Sequence, residues 1–183
     1  MKDIFIMLTQ VGTIISKSIK LYTKAKYNHS SISTDPDIKV FYSFARRIRF
    51  LPFIAGFIRE EIHEGMFRYY PDTECIIYSL NVEDDQYDRI AAEIEKYITD
   101  EIDYKYNFLA LFGVPINKPF DSQNRHTCAE FVANVLHEAG IYTFLKPFSL
   151  VRPDDIPGIP GLNVVYEGMM NQFKPDRFFK DPA

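Results

Sequence analysis

The segment Thr127-Cys128-Ala129-Glu130-Phe131-Val132 puts a cysteine on the first turn of an expected helix. Thr127 has the character of an N-cap, and Glu130 three residues later completes a capping box. Phe131, Val132, Val135, Leu136 and Ala139 then recur at a helical period until Gly140 stops the helix. The Cys128 thiol therefore meets unpaired backbone N–H groups and the positive end of a helix dipole. That setting favours the thiolate, and the same N–H groups could hold an oxyanion. With a base in reach, this is the layout of a cysteine hydrolase. A structural cysteine is the competing reading, since cysteine is often buried and Cys128 also continues the apolar stripe.

Four histidines could serve as base: His29, His63, His126 and His137. His137 lies about two and a half turns along the same helix and cannot reach the thiol. His126, just outside the cap, is expected to point away from the first-turn side chain. His63, in Glu60-Glu61-Ile62-His63-Glu64, reads as solvated. His29 sits in the small, polar strand segment Asn28-His29-Ser30-Ser31, where an imidazole can face a helix packed on the sheet. It is the candidate base, against the alternative of a hydrogen-bonded strand histidine. A Cys–His pair also needs a third group to fix the imidazole tautomer. Other chemistries find no motif: there is no glycine-rich phosphate loop, no HExxH and no CxxC pair. The pairs Glu60-Glu61 and Asp154-Asp155 read as solvated charges.

The elements that must position these residues follow from pattern. Residues 3–8 read as a strand, and Gly12-Thr13 opens a helix with Ile15, Ile19 and Tyr22 on one face. Residues 26–33 form a second strand, Asp35-Pro36-Asp37 a turn, and residues 39–44 the returning strand of a hairpin. Residues 45–66 read as a loop over the active site or a basic face for an anionic surface. Residues 67–82 hold one or two strands and residues 84–99 an amphipathic helix, whose acidic start, Asp84 and Asp85, suits the dipole. Residues 152–161 are rich in proline and are expected to wrap the surface. With 183 residues and no linker or repeat, the chain reads as a single α+β domain over residues 1–183.

A hydrophobic fraction of 46% fits a globular protein, and the net charge of −4 argues against nucleic-acid binding. Cys75 and Cys128 make no disulfide framework, and Cys75 lies in an apolar run of core type. The apolar start Met1–Leu8 lacks a convincing cleavage site, and no stretch is long enough to span a membrane. A reduced, cytoplasmic compartment is the expectation.

The ordered set Tyr27-Asn28-His29-Ser30-Ser31-Ile32, Tyr42-Ser43-Phe44, Thr127-Cys128-Ala129-Glu130-Phe131-Val132 and Pro153-Asp154-Asp155-Ile156 resembles the circularly permuted NlpC/P60-like (papain-like) cysteine hydrolases. The resemblance is to their YiiX/YebB-like bacterial group, and runs from about Gly12 to Ile156. It implies a papain-like domain with the histidine strand before the cysteine helix and a central antiparallel sheet packed against helices. It also implies a Cys128 nucleophile, a His29 base and a third polar residue on the strand after the histidine. Relatives often carry His, Glu or another polar group there; this chain carries Tyr42 and Ser43. Tyr42 could hydrogen-bond the imidazole or pack, and Glu60 could swing in from the following loop.

The expected chemistry is acyl transfer through a Cys128 acyl-enzyme, with no metal or organic cofactor needed. The substrate is a small peptide, amide or lipid acyl group, and a peptidase or amidase is the first reading. A lipid-directed acyltransferase or phospholipase is the second, with peripheral membrane contact through Arg46, Arg47 and Arg49 and the apolar stretch 51–57. A non-catalytic binding module is the third.

Overall fold

The computed structural model describes residues 1–10, 26–48 and 50–175, with Pro52 described through its backbone alone. The expected helix from Gly12 onward and the residue Arg49 lie outside the described residues. Among the described residues, eight strands form one sheet, in the order β7-β6-β4-β3-β2-β1-β5-β8. In chain order they are β1 (Lys2–Gln10), β2 (His29–Ser33), β3 (Val40–Ile48), β4 (Leu51–Glu61), β5 (Glu74–Val82), β6 (Lys105–Tyr106), β7 (Arg125–His126) and β8 (Asn163–Met169). The α-helices among the described residues are α1 (Gly65–Tyr69), α2 (Asp84–Thr99), α3 (Phe108–Gly113) and α4 (Cys128–Glu138). The architecture is α+β with helices packed on a central sheet. The sheet is mixed: the short β6–β7 pair is parallel, and the other neighbouring strands among the described residues pair antiparallel.

The sheet is buried on both faces at β1, which explains why that strand reads as a continuous apolar run. Ile4, Ile6 and Leu8 point into a core shared with Ile90 and Ile94 of α2 and with Phe131, Val132, Val135 and Leu136 of α4. Phe5 and Met7, between them in sequence, enter a second core with Ile38, Phe41, Phe67, Cys75, Ile77 and Phe173. Cys75 is fully buried there, as its apolar run suggested.

The β2–β3 hairpin is held by Asp35. Its carboxylate accepts the backbone N–H groups of Asp37, Lys39 and Val40, each at 3.0 Å. An aspartate that takes its own downstream amides replaces ladder bonds through the turn.

Three stretches depart from the expectation. Residues 45–66 are mostly strand: β3 runs to Ile48 and β4 from Leu51 to Glu61. Strand β4 is stitched to β6 at Gly56, opposite Lys105, where a side chain on Gly56 would collide with the Tyr104 carbonyl oxygen. Gly56, and Arg47 with its bond to the Tyr104 carbonyl at 2.9 Å, therefore answer to a neighbouring segment of chain. The proline-rich stretch holds a 3₁₀ helix, Pro153–Gly158, that buries Ile156 and sets Ile159 just beyond it in the main core, so it packs as well as wraps. Strand β8 extends the sheet beside β5, a role its Gly168 and mixed polarity conceal.

Candidate active site

Four strands and one helix converge on Cys128. The helix α4 starts as its sequence predicts. The Thr127 Oγ1 accepts the Glu130 backbone N–H at 3.1 Å, and the Glu130 carboxylate accepts the Thr127 N–H at 3.0 Å. Both are buried, so this capping box fixes the first turn away from water. Cys128 is the first helical residue and is itself almost wholly buried.

Strand β2 delivers the imidazole. His29 opens β2 opposite Thr9 of β1, and its ring is hydrogen-bonded to the Cys128 thiol. Its Nε2 lies 2.9 Å from Glu60 Oε1 and 3.1 Å from Oε2. With Nε2 given to the carboxylate, Nδ1 is the ring nitrogen left for the sulfur. The chain thus runs Cys128, His29, Glu60, with the outer two groups fixed by helix and strand.

The electrostatics follow from that contact. Burial opposes charge on the Cys128 thiol. The His29 imidazole bonded to it and the Ser30 backbone beside it outweigh burial, so the thiol titrates below its ordinary value. Burial likewise opposes a cationic His29. The Glu60 carboxylate and the Cys128 sulfur outweigh it and push the imidazole up to about 10. The contact with His29 therefore favours the thiolate form of Cys128, and the contact with Glu60 favours the cationic imidazole.

Tyr106 completes the site, and nothing in the sequence singled it out beyond its place in an aromatic run. The parallel pairing of β6 with β7 sets Tyr106 beside His126, two residues before Cys128. Burial, the charge on Cys128 and a hydrogen bond from the Tyr106 hydroxyl to that sulfur keep the phenol protonated well above its ordinary range. The Cys128 backbone N–H approaches the same hydroxyl. Two donors, one backbone and one phenolic, therefore flank the sulfur where negative charge would develop on a bound carbonyl.

The other expected residues fall elsewhere. The imidazole partner is Glu60 rather than Tyr42. Tyr42 pairs with Arg59 across β3–β4 and stacks on Phe57 at 6.0 Å between ring centroids. Ser43 donates instead to the Ser30 carbonyl at 2.6 Å, bracing β2 behind the histidine. Glu60 is neither solvated nor on a loop: it projects from the ordered strand β4 and is largely buried. His126 is buried against Phe44 and Tyr97, its Nδ1 taking the Asn134 amide at 3.3 Å. His63 is exposed, as its sequence suggested, with its Nε2 bonded to the Phe173 carbonyl at 2.9 Å. Asp155 is bound too, accepting from Lys146 Nζ at 2.6 Å and from the Arg152 N–H at 2.7 Å.

No protein-family model matches this sequence, and no curated protein matches it. Its fold is similar to the crystal structure of the metalloprotein YiiX from Escherichia coli O157:H7. The two share 16% sequence identity with a TM-score of 0.57, over 91% of this chain and 97% of that one. Likeness at this identity speaks to architecture alone. Among the described residues, no group of three or more His, Cys, Asp or Glu side chains is arranged to hold a metal ion.

Proposed function

We propose that this protein is a cysteine hydrolase of permuted papain-like type, with Cys128 as nucleophile, His29 as acid–base and Glu60 as the group that orients the imidazole. The reading rests on one observation: a thiol on a helix N-terminus, in contact with an imidazole that a buried carboxylate holds from its far side. In the first step the Cys128 sulfur adds to the carbonyl carbon of an amide, ester or thioester. The carbonyl π pair moves onto oxygen, facing the Cys128 N–H and the Tyr106 hydroxyl. His29 gives its Nδ1 proton to the leaving group as the carbonyl re-forms, leaving an acyl-thioester. His29 then takes a proton from water, which attacks the thioester and releases the acid and the thiolate. Glu60 accepts the Nε2–H throughout and holds the ring in place. Among the described residues, the His, Cys, Asp and Glu side chains do not fit the metal that the YiiX description implies.

The test is acylation by a water-soluble p-nitrophenyl ester, followed by intact mass. One acyl group should appear on Cys128, disappear with Cys128→Ala, and fall sharply with His29→Ala. An unmodified Cys128 with the ester and with amide and thioester probes would contradict the reading.

A further inference from the structure

The exposed aromatic surface beside this site has a different purpose from the core. The turn between β3 and β4 displays Ile48, Phe50, Leu51, Phe53 and Ile54, with Phe50 79% and Phe53 84% exposed. A second segment joins it: Leu109, Phe112 and Ile116, at helical spacing along α3 and the 3₁₀ turn after it, are all exposed, Phe112 at 73%. The two are in contact, since the Phe53 and Phe108 rings lie 6.1 Å apart. Large apolar side chains grouped this way mark a surface that is covered in use.

Charge selects the occupant. Residues 46–54 and 104–120 carry three arginines and two lysines and no Asp or Glu, in a chain of net charge −4. Asp103, at the border, engages Arg47 at 2.6 Å and Lys105 at 3.8 Å. Aromatic tips in segments that carry only cationic charged residues match the acyl–headgroup boundary of an anionic bilayer, where rings enter the apolar layer and cations stay with the phosphates. The surface also leads to the nucleophile: the Phe108 ring lies 5.0 Å from the Tyr106 ring, and Tyr106 is bonded to Cys128.

We propose that the β3–β4 turn and α3 form a docking surface for an anionic lipid bilayer, presenting a lipid acyl substrate to Cys128. The substrate clause rests on the hydrolase reading above; the docking clause does not.

The full chain is sedimented with vesicles of phosphatidylcholine, with and without phosphatidylglycerol. Binding is expected to the anionic vesicles, weakening as salt rises. Phe53→Asp combined with Phe112→Asp should weaken it about a hundredfold, since both rings leave the apolar layer. Both positions are exposed, and acylation of Cys128 by the soluble ester should be unchanged in this variant. Absence of binding to anionic vesicles, or binding indifferent to the double variant, overturns the docking surface. So does a wild-type dimer that the double variant converts to monomer without vesicle binding, because the patch would then join two copies. Docking without ester acylation would sink the hydrolase reading and leave the surface standing.

Discussion

Both carboxylate oxygens of Glu60 lie within hydrogen-bond distance of His29 Nε2, at 2.9 and 3.1 Å, from a strand two places away in the sheet. This contact decides the protonation of the site, because an imidazole bonded to a buried carboxylate holds its proton beyond the usual range. Glu60→Gln should therefore lower the pKa of His29 from about 10 toward the ordinary histidine value. Imidazole NMR of His29 across pH reads this directly. An unmoved titration would remove Glu60 from its orienting role.

The pH profile of ester hydrolysis carries the same sign. Thiolate is present above the lowered thiol pKa, and the imidazolium persists until about 10. The rate should rise with pH through a limb below the free thiol value of about 8.5, and fall again near His29's raised value. In Glu60→Gln the alkaline limb should move down, narrowing the bell. A single limb at the free thiol value would contradict the ion pair.

Tyr106→Phe removes one of the two donors aimed at the oxyanion and keeps the ring. Turnover of the soluble ester should drop by about a hundredfold, the usual loss for one oxyanion donor. Alkylation of Cys128, which develops no oxyanion, should change far less. Equal loss in both reactions would assign Tyr106 to packing.

Two backbone features should show in stability. Thr127→Ala leaves the buried Glu130 N–H without its acceptor, and should cost about 1 kcal/mol in denaturant unfolding. Gly56→Ala forces a Cβ against the Tyr104 carbonyl and the Arg47 guanidinium, and should cost about 1–3 kcal/mol of overpacking. It should also disturb Tyr106, since Gly56 pairs with β6.

How much of this the sequence carries depends on how local each signal is. The cap at Thr127, the helix to Gly140 and the candidate pair Cys128–His29 were legible, because capping chemistry and strand polarity are written in neighbouring residues. Glu60 is harder to read, because an acidic pair looks solvent-facing unless a distant strand is known to cover it. Tyr106 was missed for a related reason. Its position depends on a two-residue parallel pairing, too short for any hydrophobic period to reveal. The surroundings of His126 are equally non-local, an aromatic core assembled from β3 and α2.

The most direct test of the account is the pH dependence of Cys128 alkylation by iodoacetamide, in a Cys75→Ala background, with and without His29→Ala. Cys75 is buried, and its thiol is pushed up to about 12, so its removal clears the signal at little cost to the site. The account predicts a Cys128 pKa well below the free value of about 8.5, rising when His29 is removed. A slow thiol with an ordinary pKa, indifferent to His29, would contradict it and leave Cys128 a structural cysteine.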